Sequence, residues 1–237
     1  MDSRRLAALL EPFLAGRPDL PPLTATQLDQ ISIYIDLLLR WNARLNLTAI
    51  RHPDHVITRH FGESLFAARN FLPGVASSPP ASTNLAGRRT EALVPHFAPR
   101  ILDLGSGAGF PGLPLKIWSP QARITLIESK HKKVAFLHEV IRSLRLTDID
   151  VFSGRAEDFP AATGSEITLR AVERFDQTLP VAIRLLAPSG RMALLIGQGQ
   201  VAHAHALAPK IHWSDPLSIP LSTARILLIG VMRQASP

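Results

Sequence analysis

The sequence predicts an α/β protein: a doubly wound, mostly parallel sheet beneath an N-terminal helical cap. Three observations lead there. From Arg100 onward, short β-prone runs alternate with helical ones, as they do when strand–helix–strand crossovers lay parallel strands side by side with helices on both faces. Before that point apolar residues recur three and four apart, the spacing of amphipathic helices. At the first strand-to-helix junction, "ILDLGSGAGFPGLPLKI" from Ile101 to Ile117, three glycines fall within five residues. Such a turn bends tightly and lets a ligand approach the backbone closely, because no Cβ blocks it.

Taken in order, Arg4 to Leu14 and Thr24 to Leu47 read as two helices with Pro18, Pro21 and Pro22 between them, and His55 to Phe71 as a third that stops at "LPG". "VASSPPASTNLAGRRT", from Val75 to Thr90, lacks periodicity and is rich in Ser, Pro, Gly and Ala, the composition of a flexible loop. Strands follow at "RILDL", "ARITLIE", "IDVFSG", "EITLRAV" and "RMALLIG", with helices at "PGLPLKIW", "KKVAFLHEVIRSL" and "RFDQTLPVAIRLLA". "IHWSDPLSIP" and "ARILLIGVMR" have no long helix between them and are expected to close the sheet as an antiparallel pair. The expected organisation is a cap over 1–74, an insertion over 75–99 and a core over 100–237, with cap and core forming one compact unit.

A chain of 237 residues with 46% hydrophobic content buries one substantial core. No run of about eighteen apolar residues occurs and the N-terminus mixes charge into its apolar positions, so a soluble, cytoplasmic protein without membrane association is expected. The absence of cysteine excludes disulfides, thiolate metal sites and a cysteine nucleophile. A net charge of +7, carried more by arginine than by lysine, makes nucleic acid a favoured partner, since guanidinium groups suit bidentate contact with phosphate.

The glycine turn therefore reads as a cofactor site. Gly107, Gly109 and Gly112 also satisfy the dinucleotide pattern G-x-G-x-x-G, which alone is a weak signal. Asp103 before the first glycine, and Phe110 with Pro111 inside the turn, favour S-adenosylmethionine over a dinucleotide. Glu128, ending the second strand, suits ribose hydroxyls in either case, and Ala156 and Glu157 in "GRAEDF" are placed to meet an adenine edge. A small-molecule methyltransferase, a nicotinamide-dependent oxidoreductase and a non-catalytic RNA-binding assembly factor remain alternatives on these residues.

"RWNARLNLT", "RHFGESL", "LDLGSGAGFPGLPLKI", "KKVAFLHEVIRSL", "GRAEDF" and "RAV" resemble, in order and spacing, the small-subunit ribosomal RNA methyltransferase G family, also called glucose-inhibited division protein B. The likeness runs from about Leu37 to Gly197, interrupted by the insertion. It implies a helical cap on a Rossmann-like class I methyltransferase core, and methylation of guanine N7 in the 530 loop of 16S rRNA with S-adenosylmethionine. The 16S rRNA or the small ribosomal subunit would be the partner. Gly105, Gly107, Gly109 and Phe110 would form the methionine end of the cofactor pocket, Glu128 would hold ribose, Ala156 and Glu157 would frame adenine, and Arg170 would stand where cofactor and substrate meet. Arg59, His60 and Glu63 in the cap, together with Arg225, would face the RNA.

Two departures stand out: Gly62 and Glu63 replace the family's usual leucine and aspartate, and Ile196 replaces a common lysine. The chemistry agrees with the resemblance. Pyrimidine C5 methylation commonly uses a cysteine, and exocyclic-amine methylation an N/D-P-P-aromatic turn; the chain has neither at the expected place. Guanine N7 carries a free lone pair, so positioning suffices and no general base is expected. On that ground Glu63→Gln is expected to keep most of the rate. Lys130, Lys132 and Lys133 stand at a helix start, where cations oppose the macrodipole; Lys132 and Lys133 are accordingly assigned to RNA phosphate. His203 and His205 are two apart and without a nearby carboxylate, so no metal site is expected; Trp41 and Trp118 read as packing residues.

Overall fold

A computed structural model describes residues 2–16, 20–72, 100–170 and 174–233. The loop expected at Val75 to Thr90 lies outside the described residues.

The cap begins with α1 (Ser3–Leu14), capped by the Asp2 side chain, and α2 (Ala25–Leu45), closed at its N-terminus by a reciprocal Thr24–Gln27 capping box. Two orphan amide groups are satisfied in this way. α2 ends at Leu45, two residues before the expected end, with Asn46 as its left-handed cap. The expected single helix from His55 to Phe71 is instead three pieces: α3 (Pro53–Val56), a π-helical stretch (Ile57–Gly62) and α4 (Glu63–Phe71). Such wide turns mark functional sites, and this one carries Arg59 and His60.

The core alternates β1 (Arg100–Leu104), α5 (Gly112–Trp118), β2 (Arg123–Glu128), α6 (His131–Ser143), β3 (Ile149–Ser153), β4 (Gly164–Arg170), α7 (Phe175–Leu185), β5 (Leu186–Gly197), α8 (Val201–Leu207), β6 (Ile211–Trp213), β7 (Leu217–Ser218) and β8 (Arg225–Met232). The strand order is β3-β2-β1-β4-β5-β8-β6, with β7 on β8. The first five are mutually parallel; β8 runs antiparallel to β5, β6 and β7. The expected closing antiparallel pair is present, though β8 sits inside the sheet rather than at its edge.

One hydrophobic cluster joins the cap to the sheet: Leu10, Phe13, Ile35, Leu38, Phe61 and Phe71 pack with Ile101, Leu113, Leu126 and Phe136. The second, with Leu102, Ile167, Leu179 and Leu194, lies under α7 and α8. Polar pins reinforce the first. Gln27 Nε2 donates to the Ile117 carbonyl at 2.8 Å, and Arg191 pairs with Glu166 while donating to the Phe71 carbonyl at 2.8 Å. Gly62 also has a packing reason. A Cβ on Gly62 would lie 2.5 Å from the Phe13 ring, so α1 fills the volume that a larger side chain would take.

Candidate functional site

The strand order reverses between β1 and β4, and at such a switch point the carboxyl ends of parallel strands leave a crevice for a ligand. Gly105, Gly107 and Gly109, at φ +65°, +59° and +89°, all adopt the left-handed region as the chain leaves β1. Around Gly105 nothing lies within 4 Å of where a Cβ would stand, so its backbone faces open space. Gly109 is different: a Cβ there would meet Leu113 Cδ1 at 2.3 Å and Tyr34 Oη at 2.5 Å. Its need for glycine comes from packing against α5 and the cap as well as from its left-handed φ.

Asp103 also departs from its expected role. It is fully buried beneath the turn, accepting from Thr168 Oγ1 at 2.8 Å and from the Gly112 amide at 3.2 Å. Thr168 is its register partner on β4. Burial raises its pKa to about 6 against the opposing pull of these hydrogen bonds. It therefore shapes the turn from below instead of touching a cofactor.

A cleft of about 250 Å³ opens beside the turn, bounded by Gly105, Glu128, Gly154, Ala156, Glu157 and Gln177. The Glu128 carboxylate accepts from the Gly107 amide at 3.0 Å and the Lys130 amide at 2.8 Å. Both oxygens are thereby fixed, and each keeps a lone pair for a ribose hydroxyl. Open space at Gly105 and an oriented carboxylate at the end of β2 fit an adenosyl cofactor. Glu157 lines the cleft, but its carboxylate pairs with Arg155 at 2.9 Å, which lowers its pKa.

On the cap side of the turn, Phe110 is sandwiched between His60, at 4.6 Å and 16°, and Tyr34, at 5.3 Å and 5°. Phe110 thus packs against the cap from within the turn. Tyr34, the single tyrosine of the chain, donates from Oη to the Ala108 carbonyl and ties α2 to the turn. His60 bonds Thr48 Oγ1 through Nε2 at 2.8 Å and Arg170 Nη1 through Nδ1 at 3.1 Å. Arginine can only donate, so Nδ1 accepts and the ring is neutral with its proton on Nε2. Burial, then Arg170 and Arg59, lower its pKa to about 3.

Arg59, Arg170 and Arg225 converge on one carboxylate. Glu63 is 2% exposed; Oε1 lies 2.7 Å from Arg225 Nε and 3.4 Å from Arg59 Nε, and Oε2 lies 3.2 Å from Arg170 Nη2. Arg170 also donates to the Arg59 carbonyl and lies over Phe110. Glu63 is therefore enclosed by guanidinium groups and cannot face RNA itself. Neutralising Glu63 would leave the buried Arg170 without its counter-charge, a cost that the expectation for Glu63→Gln did not include.

Lys132 and Lys133 stand apart from this cluster on the first turn of α6, which has neither a side-chain cap nor an acidic residue. Lys133 Nζ reaches within 3.9 Å of the Cβ position of Gly107, so it borders the glycine turn as well. Ile196 is 4% exposed within the second hydrophobic cluster and supplies no cation. His203 does have a carboxylate nearby, Asp176 at 2.9 Å, contrary to the sequence reading. Even so, the described residues contain no group of three or more potential metal-ligating side chains, and none of the described helices is long and apolar enough to cross a membrane. Tyr34, Thr48 and Thr168 are the site residues that sequence reasoning missed.

Strand order, antiparallel β8, glycine turn and acidic strand end together define a Rossmann-like fold of the class I S-adenosylmethionine-dependent methyltransferase type. Among solved structures, the cyclase SpnF superposes with a TM-score of 0.51 at 14% identity, covering 58% of this chain and 76% of that one, a likeness of fold alone. The profile of the rRNA small subunit methyltransferase G family matches residues 27–75 and 90–224. Ribosomal RNA small subunit methyltransferase G of Xylella fastidiosa (strain 9a5c) is 34% identical over 85% of this chain and 84% of its own length. The protein of that name from Cupriavidus necator is 32% identical over 90% of each. The chain belongs to the rRNA small subunit methyltransferase G family.

Proposed function

We infer that this chain methylates N7 of a guanine in the 530 loop of 16S rRNA, acting on the RNA or on the small ribosomal subunit. The observation that carries this reading is a cleft in which arginines gather beside the glycine turn while the nearby histidine is held neutral by its own hydrogen bonds. When bound, S-adenosylmethionine supplies an electrophilic methyl group. Gly105 gives it room, Glu128 orients its ribose, and Ala156 and Glu157 border the adenine end.

Guanine N7 attacks with a lone pair it already holds, so no side chain need remove a proton. His60 is accordingly no base, since its Nδ1 is committed to Arg170 and its proton to Thr48. Glu63 acts as a positioning residue that gathers Arg59, 47% exposed, and Arg225, 30% exposed, to contact the RNA. Lys132 and Lys133 add phosphate contacts from α6.

The test is nucleoside mass spectrometry of 16S rRNA from cells lacking the protein, followed by re-methylation of that RNA or its subunit with purified protein. Loss and recovery of a single 7-methylguanosine is expected. An unchanged 7-methylguanosine content would overturn the reading.

A further inference from the structure

Apart from the cleft, a groove of about 610 Å³ runs between α2 and α6, lined by Leu37, Arg40, Trp41, Arg44, Leu45 and Glu139. Arg40 and Arg44 are exposed and four residues apart on α2, a spacing at which like charges repel. Arg44 lies in the last turn, where a cation complements the helix dipole; Arg40, a turn earlier, has less of that benefit. Arg40 Nε donates to the Asp36 carbonyl at 3.3 Å, and among the described residues neither arginine makes an ion pair. The acid in the groove, Glu139, is already paired with Arg142. Trp41 is half-buried, leaning on Phe136 with centroids 5.6 Å apart, and presents the rest of its ring to the groove.

Two structural connections link the groove's walls to the cleft. The two helices run antiparallel, since Gln30 reaches the Leu144 carbonyl at one end and Trp41 meets Phe136 toward the other. The last turn of α2 therefore approaches the first turn of α6, where Lys132 and Lys133 stand beside the glycine turn. On the other side, Asn42 Oδ1 accepts from the Thr48 amide at 2.9 Å, and Thr48 Oγ1 bonds His60.

We propose that this groove carries a stretch of RNA strand adjoining the target guanine, with phosphates against Arg40 and Arg44 and a base against Trp41. It rests on the rRNA-methyltransferase reading above. Two unpaired guanidinium groups flanking an aromatic face match a single strand, whose phosphates need cations and whose bases stack on any flat ring. An acidic peptide would use the arginines and leave the ring without a purpose.

The experiment measures binding of a 16S rRNA fragment, containing the target loop and its flanking strands, by the full chain across a salt series. In the Arg40→Ala/Arg44→Ala variant the slope of log affinity against log salt should fall by about 1.4, and affinity in 0.1 M salt by roughly 25-fold. The loss should appear in KM for RNA, with S-adenosylhomocysteine affinity at the wild-type value. Arg40→Lys/Arg44→Lys should recover most of the slope, and Arg123→Ala, at the opposite end of the sheet, should bind as wild type does. RNA should quench tryptophan fluorescence in the wild type, and Trp41→Phe, which keeps the Phe136 contact, should remove that quench. Unchanged slope and affinity in the double alanine variant would overturn the groove alone. A wild-type chain that binds no RNA would overturn the parent reading and the groove with it. Binding of an acidic small-subunit protein through these arginines, with RNA affinity unaltered, would also reject the proposal.

Discussion

His60→Asn probes the claim that the cleft's histidine stays neutral. Asparagine can still accept from Arg170 but has no titrating ring. In the folded chain the His60 pKa is about 3, whereas an unfolded histidine titrates near 6.5. A lowered folded pKa means that the native state binds fewer protons than the unfolded one. The corresponding stability is full above pH 6.5 and drains away as pH falls toward 3. Between pH 7.5 and 5.0 the chain should therefore lose about 1.5 pH units' worth of stabilisation, or ~2 kcal/mol at 1.36 kcal/mol per unit. Asp103 works in the opposite direction: its folded pKa of about 6 means that stability is lost as pH rises through 6 and regained on acidification. That contribution is common to wild type and variant and cancels in their difference. Urea unfolding of both proteins at pH 7.5, 6.0 and 5.0 provides the measurement. The variant should be less stable at pH 7.5, having lost the ring stacked on Phe110, yet should lose ~2 kcal/mol less on going to pH 5.0. Parallel pH profiles for the two proteins would refute the assignment of a neutral, hydrogen-bonded His60.

Gly107→Val places a β-branched residue at φ +59° and disturbs the amide that orients Glu128, at a backbone cost of roughly 1–3 kcal/mol. Calorimetry should show S-adenosylhomocysteine binding abolished in a chain that remains folded, and retained affinity would contradict the role given to the turn. Gly62→Leu should destabilise by about 1–3 kcal/mol through overlap with Phe13, and Phe13→Ala by about 3–5 kcal/mol through the cavity it leaves. Combined, they should cost at least about 1 kcal/mol less than their sum; strict additivity in thermal or urea unfolding would show that the two side chains do not share the volume.

The alternation after Arg100 was legible because buried parallel strands and amphipathic helices leave different periodicities, and β1 to β5 follow the runs read from the sequence. The glycine turn and Glu128 were legible for the same local reason. Harder to read was which glycine serves the ligand and which the packing: Gly105 and Gly109 are alike in sequence and left-handed in structure, and the distinction comes from Tyr34 and Leu113, one of them 75 positions away in the chain. Asp103 is a similar case, since its neighbour Thr168 is set by strand register across the switch point. Burial of Glu63 depends on arginines from β4 and β8, which its four-residue spacing to Arg59 could not reveal. The helical pattern from His55 to Phe71 gave no sign of the π stretch, because apolar spacing tolerates one added residue.

The helix that follows that wide turn acts as a ruler for the cap. Each position in an ordinary helix turns the chain by ~100°. The π stretch takes up its extra residue in a wider turn, but α4 has no such slack, and deleting one residue between Glu63 and Arg69 would rotate everything after it by that angle. Arg69 would swing away from the Phe13 carbonyl that it reaches at 3.1 Å, and Glu63 could not face β4 and β8 while Phe71 still met Arg191. Letters here can change, but their number is constrained. Among relatives that share this cleft, insertions and deletions should be far rarer between Glu63 and Arg69 than substitutions are.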